Sequence, residues 1–443
     1  MLVDISYKNI WKIAFPIIIS GIAQNVVNVT DTMFLGQLSN VALGAGGNAG
    51  IFYFVLVITG MGFTTGAQII IGRRNGEENY TQIGKVVDHC LYFIIPLGLL
   101  LFVFMKFLSP YLLEIITLSP LILEASIEYL DYRAFGILFS FINFVFIAFY
   151  VGTTKTKILM PVTFLMMLTN VFLDYSLIFG NFGFPAMEIK GAALASVISE
   201  GAALLFFIIY TYQKIDIQKY NLFGFRDFDK AIFKRIFNVG SPIMLQNFLS
   251  LSSWFIFFMI IEKLGETELA ISHIIRSIYM VLMIPLFGFS SATNTLVSNL
   301  IGQGNSNKVL PLIKKVVVLS LLSTMFVLLF NLFFPTQMIG FYTNDTALIN
   351  GAIDTLNVVS GTMFFFAVAF ILFNGVSGTG NTKMSLLIEV ITITIYLIIT
   401  YYIAIVLKSS LPIVWCSEFI YFGLLGILSF GYLKWGNWKK VDI

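Results

Sequence analysis

Acidic and amide side chains recur at helical spacing inside two otherwise apolar stretches of the sequence. Gln24, Asn28 and Asp31 lie at i, i+4 and i+7, and Asn170 and Asp174 lie at i and i+4. Residues at these spacings share one face of a helix. If the two faces meet, Asp31 and Asp174 share a cavity in which burial and mutual repulsion favour the protonated form of at least one carboxyl group.

The same pair of aspartates is compatible with two other roles. Carboxylate oxygens, together with amide and hydroxyl oxygens, are ligands for a hard cation such as Na⁺. Alternatively, each aspartate caps or pairs near the outer end of its own helix, without a role in ion binding. Ionisable side chains inside apolar helices are costly and usually functional, which favours a proton or cation site over the structural interpretation.

The composition of the chain indicates the environment in which these residues act. Of the 443 residues, 58% are hydrophobic and only 11% are charged, whereas a soluble domain has roughly a quarter charged residues. High hydrophobicity with low charge excludes a disordered chain. The two cysteines, Cys90 and Cys416, stand far apart in apolar stretches and do not indicate a disulfide-stabilised secreted fold. The composition predicts a polytopic membrane protein.

The apolar stretches predict an all-α membrane protein with twelve transmembrane helices. A spanning helix needs about 20 mostly apolar residues. A β-barrel is excluded because the stretches are long and continuous and do not consist of short alternating strands. The predicted spans are 13–35, 44–71, 86–108, 127–151, 158–180, 190–212, 239–261, 268–300, 311–334, 349–375, 385–407 and 412–433.

The basic residues predict the orientation of the chain. With the N-terminus inside, twenty of the 26 lysines and arginines fall on one face of the membrane, among them Lys8, Arg73, Lys155, Lys234 and Lys439. Basic residues are enriched in cytoplasmic loops. Both termini are therefore expected to be cytoplasmic, in a multi-pass protein of the plasma (inner) membrane. The net charge of +3 follows from this bias and gives no indication of nucleic-acid binding.

Two similar halves are separated by the longest polar stretch of the sequence. We predict a six-helix bundle over 1–212, a cytoplasmic linker over 213–238 and a second six-helix bundle over 239–443. The loop GTTKTK at 152–157 is matched by GNTKMS at 380–385, and Pro16 is matched by Pro242. An even number of helices per half makes this repeat parallel, as in transporters that rock two bundles about a central site.

The second half does not repeat the polar stripe of the first. Ser250, Trp254 and Phe257 stand where Gln24, Asn28 and Asp31 stand in the first half. Glu389 follows Lys383 by six residues and is interpreted as a structural residue near the cytoplasmic interface. Glu200 and Glu418 recur in both halves, which favours a shared role in helix packing. The sequence therefore predicts a coupling site in the first bundle only.

The sequence contains no motif typical of a nucleotide-driven pump, an enzyme, a metalloprotein or a channel. There is no Walker motif or phosphate-binding glycine loop, which leaves ion gradients as the energy source. No nucleophile–base pair or metal-ligand cluster stands out, so we expect neither an enzyme nor a resident cofactor, only a coupling ion, H⁺ or Na⁺. No repeated filter or ring of charges indicates a channel.

Three blocks of sequence resemble the multidrug and toxic compound extrusion (MATE) family. They are NVTDTMFLGQL at 28–38, the long block from Thr156 to Glu200, and GTGNTK at 378–383. Within the long block, NVFLDYSLIFG and GAALASVIS are the most specific parts. The resemblance covers nearly the whole chain and implies a V-shaped transporter of two six-helix bundles, the MATE/MOP-type fold.

The resemblance also implies roles for individual residues. The family's first-bundle cation site falls on Asp31, Asn170 and Asp174, with Ser196 where many relatives have threonine. Gln24 matches a position facing the substrate cavity, and we assign Asn28, on the same stripe, to that cavity as well. Na⁺ could occupy the site at Asp31 and Asp174.

The branch within the family follows from three positions. Asp174 is an asparagine in NorM-like members, which points to the DinF-like branch. NorM-like members also carry two acids in the second bundle, at positions that hold Ser250 and Phe366 here. The second-bundle sodium site of that branch is therefore not expected in this chain.

The function implied by the resemblance is secondary active multidrug efflux. Protons or Na⁺ would be exchanged for amphipathic, mainly cationic compounds, by a monomer in the lipid bilayer. The alternative is a flippase for a lipid-linked sugar or another anionic lipid. Such a substrate needs basic residues in the cavity, whereas the spans offer Arg133 and Arg276 near their outer ends and otherwise carboxylates.

Overall fold

The computed structural model describes residues 4–225, 228–343, 345–441 and 443, except for the side chain of Lys440. Within these ranges the chain is helical and contains no β-strand, which confirms the predicted all-α class. The predicted linker 213–238 includes Arg226 and Asp227, which lie outside the described residues.

Seventeen α-helices follow one another along the described residues. They are α1 (Tyr7–Leu38), α2 (Asn40–Gly76), α3 (Tyr80–Phe107), α4 (Ser109–Ile116), α5 (Pro120–Arg133), α6 (Gly136–Gly152), α7 (Leu159–Phe179), α8 (Glu188–Lys214), α9 (Ile217–Tyr220), α10 (Lys230–Glu262), α11 (Glu266–Gly302), α12 (Val309–Phe333), α13 (Pro335–Gly340), α14 (Thr346–Gly378), α15 (Thr382–Tyr401), α16 (Leu411–Trp415) and α17 (Ser417–Trp435).

Twelve of the resulting segments are long and apolar enough to cross a membrane, in agreement with the prediction. Eleven are single helical segments in the described part of the chain, and the twelfth is the pair α5 and α6, bent by 50°. The bend follows Arg133 directly. Helices α2 and α11 have 37 residues each, more than the roughly 20 that span the hydrocarbon core, so they tilt or extend beyond it.

The helices form two compact units whose boundaries fall inside α1 and α10. Unit 1 contains the chain up to Ile18 together with Leu245–Ile443, and unit 2 contains Ile19–Met244. This division differs from the predicted one at 212 and 239, because the first part of α1 and the first part of α10 each belong to the unit formed mainly by the other half of the sequence.

In unit 1, the first part of α1 lies in the hydrophobic core. Ile10 and Ala14 are completely buried, in one cluster with residues of α11 and α14. Ile18 packs against Gly288 of α11, where a side chain on the glycine would collide with it. The amphipathic start of α1 is therefore stabilised by burial of its apolar face in unit 1.

In unit 2, the predicted linker and the start of α10 pack against α3. The backbone N–H of Phe225 donates to Asp88 Oδ2 at 3.0 Å, and the N–H of Asp229 donates to His89 Nε2 at 2.8 Å. His89 Nδ1 lies 2.7 Å from the carbonyl oxygen of Lys85, to which it donates as the neutral tautomer. His89 is thus buried, and it ties the segment before α10 to α3.

The start of α10 also approaches α2 at a pair of glycines. A Cβ atom on Gly66 would lie 2.6 Å from the backbone nitrogen of Gly240. Because the neighbouring atoms are backbone, we expect Gly66→Ala to force α2 and α10 apart and to lower the free energy of unfolding by about 1–3 kcal/mol. Thermal unfolding of the detergent-solubilised protein measures the effect.

The matched control for this prediction is Gly50→Ala in the same helix. A Cβ atom there would meet nothing within 4 Å, so the change is expected to be neutral or to stabilise the helix by about 0.5–1 kcal/mol. Equal unfolding temperatures for the two variants would contradict the close approach of α2 and α10.

Candidate functional site

The tight connection between α7 and α8 positions three of the predicted site residues. Helix α7 ends at Phe179, and Gly180 follows with φ +74°, a left-handed conformation that favours glycine. Gly191 of α8 packs on the backbone of Leu177, where a Cβ atom would lie 2.7 Å from the carbonyl oxygen. Asn170 and Asp174 of α7 are consequently held close to Ser196 of α8.

The structure brings Asp31 of α1 to the same place, with Asn170 as the bridge. With its amide oriented so that Nδ2 donates, Asn170 lies 3.0 Å from Asp31 Oδ1 and 3.2 Å from Asp174 Oδ2. The other amide atom of Asn170 is 3.5 Å from Ser196 Oγ. The carboxyl groups of Asp31 and Asp174 lie close enough to each other to share a hydrogen bond. The four residues predicted from the sequence therefore form one cluster, which we call the acidic pair site.

Burial determines what this site can do chemically. Asn170 and Asp174 are completely buried, whereas Asp31 is partly exposed. A hydrogen bond between two carboxyl groups requires a proton on one of them. Asp174 Oδ1 has no hydrogen-bond partner among the described residues. A buried pair of carboxyl groups with one such oxygen is chemically able to bind a proton.

A buried ion pair lies next to the acidic pair site, and the sequence analysis did not predict it. Arg133 Nη1 is 2.8 Å from Glu200 Oε2, and Nη2 is 2.5 Å from Oε1. The guanidinium group also covers the ring of Tyr53, 3.8 Å from its centroid. The sequence did contain an indication of this pair, because Arg133 and Glu200 both lie inside predicted spans and a charged residue there needs a partner.

The bend between α5 and α6 places Arg133 in this position. Arg133 is the last residue of α5, and Gly136 at the start of α6 leaves room for the ion pair, because a Cβ atom there would collide with the guanidinium group. Arg133 also acts electrostatically on Asp31. The charge of Arg133 is already balanced by Glu200. Arg133 therefore does not neutralise a second carboxylate in the acidic pair site.

The two residues assigned to the substrate cavity lie outside the acidic pair site. Gln24 and Asn28 are exposed on the surface of unit 2, on the helix that carries Asp31. The structure thus places them along one stripe, as predicted, and does not bring them together with the buried carboxyl groups.

The structure places Glu389 inside unit 1, where it joins helices, in agreement with the structural role expected from the sequence. Glu389 is 1% exposed and accepts hydrogen bonds from Ser250 Oγ at 2.6 Å and Tyr421 Oη at 2.8 Å. It lies two turns inside α15, which begins at Thr382, and neighbouring helices cover this face. The burial of Glu389 by neighbouring helices cannot be inferred from its six-residue separation from Lys383 in the sequence.

Glu200 and Glu418, matched in the two halves, have different partners. Glu418 accepts a hydrogen bond from Tyr396 Oη at 2.9 Å, whereas Glu200 pairs with Arg133. Their roles are therefore not the same, although both residues join helices as the sequence analysis expected.

The comparisons with known proteins agree with this architecture. A family model described as MatE matches residues 16–176 and 242–403. A "Probable multidrug resistance protein NorM" of Thermotoga maritima is 29% identical over 389 residues, covering 87% of this chain and 83% of that protein. A protein of the same name in Rhizobium meliloti is 28% identical over 369 residues, covering 81% of this chain and 76% of its own length. These names weigh against the closer resemblance to the DinF-like branch.

Solved structures share the fold. One described as the outward-facing conformation of a multidrug resistance MATE family transporter of the MOP superfamily has a TM-score of 0.89 at 20% identity, covering 97% of this chain and 95% of that chain. A second, a MOP superfamily transporter from Pyrococcus furiosus described as having a binding pocket of reverse polarity, has the same TM-score, identity and coverage. With eleven or twelve candidate spans in the described residues, the same fold and a family match over most of its length, this chain belongs to the MatE family of transporters.

Proposed function

We propose that the chain is a secondary active multidrug efflux transporter that exchanges H⁺ for amphipathic, mainly cationic organic compounds by alternating access. The observation that carries the proposal is the acidic pair site, in which Asp31 and Asp174 are in contact and are bridged by Asn170. The names of the relatives, which are multidrug resistance proteins, support the choice of substrate class.

The contact between the two carboxyl groups favours H⁺ over Na⁺ as the coupling ion. A shared proton holds two carboxyl groups together, whereas Na⁺ would need several oxygen ligands arranged around it. When the proton leaves, the two carboxylates repel each other in a poorly solvated site. Deprotonation therefore changes the packing of α1 against α7, which is the movement that releases or admits substrate.

A cationic substrate follows from the same electrostatics. A deprotonated acidic pair site attracts positive charge, and the partly exposed Asp31 is the member that a substrate can approach. Substrate and proton then compete for unit 2. We place Gln24 and Asn28 along the substrate path because they are exposed on the same helix. The proposal includes a monomer in the plasma membrane with both termini cytoplasmic, as the basic residues indicate.

The lipid flippase considered from the sequence is the less favoured alternative. An anionic headgroup needs unpaired basic residues. The charge of Arg133 is balanced by Glu200, which leaves Arg276, stacked over the ring of Phe258, as the remaining basic residue of the two. The proposal also does not depend on the DinF-like branch, since it rests on the contact between Asp31 and Asp174 and not on the branch.

The experiment that tests the proposal is drug flux in reconstituted vesicles with the proton and sodium gradients imposed separately. We expect a proton gradient to drive concentrative uptake of tetraphenylphosphonium into inverted vesicles, and a sodium gradient alone to leave it at the level of protein-free vesicles. Transport driven only by sodium would overturn the assignment of H⁺, and no driven transport with either ion would overturn the exchanger itself.

A further inference from the structure

A second buried acid lies in unit 1, in a setting unlike that of Glu200. Glu389 of α15 meets Ser250 of α10 and Tyr421 of α17, and both hydroxyl groups donate to the same oxygen, Oε1. Ser250 and Tyr421 come from different helices, so the carboxyl group joins three elements of the unit. These two hydrogen bonds satisfy Oε1 of the carboxyl group but not Oε2.

The other oxygen of Glu389 has no partner in the described part of the chain. Oε2 is buried without a hydrogen bond, as are Thr392 Oγ1 one turn further along α15 and Gln246 Oε1 one turn before Ser250 on α10. None of the ion pairs among the described residues includes Glu389. A buried carboxylate without a cationic partner costs several kcal/mol, so the neutral acid is the favoured form.

Among the residues that the structure describes, the titratable groups around Glu389 add no positive charge. Tyr421 is close enough to interact electrostatically with both Glu389 and Glu418, and with Tyr279 of α11. Glu418 is engaged by the hydroxyl group of Tyr396. The neighbours of Glu389 are therefore one other carboxyl group and several phenols, and a proton is the smallest ion that could neutralise the charge of Glu389.

We propose that Glu389 is a second proton-binding site of this protein, located in unit 1 and built from Glu389, Ser250 and Tyr421. On release, the O–H bond at Oε2 breaks, the proton passes to water, and the Ser250 and Tyr421 hydroxyl groups stabilise the negative charge that remains on the carboxylate. The participation of this proton in transport rests on the proposed function; its presence on Glu389 does not.

Infrared spectroscopy of the full-length protein in vesicles tests the protonation directly. We expect the wild type at neutral pH to show the carbonyl stretch of buried carboxylic acids, and Glu389→Gln to lose one component of it. The amide of glutamine keeps an oxygen that accepts from Ser250 and Tyr421, so the fold is preserved. Asp354→Asn, which removes an exposed carboxylate of the same unit, is the matched control and is expected to leave the band unchanged.

A second pair of variants guards against a folding defect in Glu389→Gln. Ser250→Ala and Tyr421→Phe each remove one hydroxyl donor to Oε1, and both should move the frequency of the same band upward. An acid band that is identical in the wild type and Glu389→Gln would overturn the proposal. Loss of the band on addition of Na⁺ at constant pH would also overturn it, in favour of a sodium site.

Transport measurements then separate this inference from the proposed function. We expect Glu389→Gln to bind tetraphenylphosphonium and to exchange fewer protons per substrate than the wild type. An unchanged stoichiometry would remove Glu389 from coupling. If the wild type shows no gradient-driven flux at all, the proposed function fails, while the infrared result for Glu389 still stands.

Discussion

Replacement of Asp31 by asparagine is expected to reduce gradient-driven drug efflux to the level of protein-free vesicles, in a protein that still folds. Asparagine keeps an oxygen near the Asn170 amide but neither takes up a proton nor repels Asp174. In the proposed exchange mechanism, the change in charge that links the ion gradient to substrate release would thereby be lost. The measurement is tetraphenylphosphonium transport under an imposed proton gradient, with size-exclusion chromatography to verify folding.

The control for this experiment is another Asp→Asn exchange in unit 2. Asp131 is a partly exposed residue that pairs with Lys106 at 3.0 Å, so Asp131→Asn is expected to retain efflux. Unimpaired transport by Asp31→Asn would exclude Asp31 as the coupling residue. If Asp31→Asn and Asp131→Asn lost transport equally, the loss would be a general effect of removing a carboxylate from unit 2. That result would contradict a specific role for Asp31.

Removal of Arg133 is expected to have the largest effect on stability. Arg133→Met leaves Glu200 buried and charged without its partner, and breaking a buried ion pair in this way typically costs about 3–5 kcal/mol. Both side chains of the pair are largely buried, so solvent does not compensate for the loss. Denaturant titration of the protein in detergent micelles measures the free energy of unfolding.

Two further variants make this prediction specific. The double variant Arg133→Met, Glu200→Gln removes both charges and is expected to recover most of the stability, because no uncompensated ion remains. Lys106→Met breaks a partly exposed pair and should cost only about 0–1 kcal/mol. A double variant as unstable as the sum of the two single changes would contradict the coupling between Arg133 and Glu200.

The membrane class, the approximate number of spans and the polar positions Asp31, Asn170 and Asp174 followed from the residue pattern, whereas Ser196 was implied by the family resemblance. Hydrophobic length and helical spacing are local properties, and in a membrane they are enforced by the need to satisfy every backbone hydrogen bond within the helix. The stripe of Gln24, Asn28 and Asp31 and the pair Asn170 and Asp174 were visible for the same reason. That Asp31 and Asp174 are in contact was only a hypothesis, made specific by the family resemblance.

The tertiary structure alone decided the partners of the remaining buried charges. Arg133 and Glu200 lie 67 residues apart, and nothing in their local patterns selects one for the other. Glu389 was interpreted as a structural residue near an interface because sequence distance was measured along a single helix, whereas its burial comes from α10 and α17. The division of α1 and α10 between two units has the same origin, since it depends on which core buries the start of each helix.

The low content of charged residues, 11% of the chain, was sufficient to predict a membrane protein from the sequence alone. It also identified the few acidic residues inside the spans as candidates for a functional role. The helical spacing of the polar residues on the helices of Asp31 and Asp174 indicated one site for a proton or Na⁺. The folded chain added Glu389, because the contacts that neutralise or isolate a buried charge are made between helices distant in sequence, and only their packing decides which groups meet.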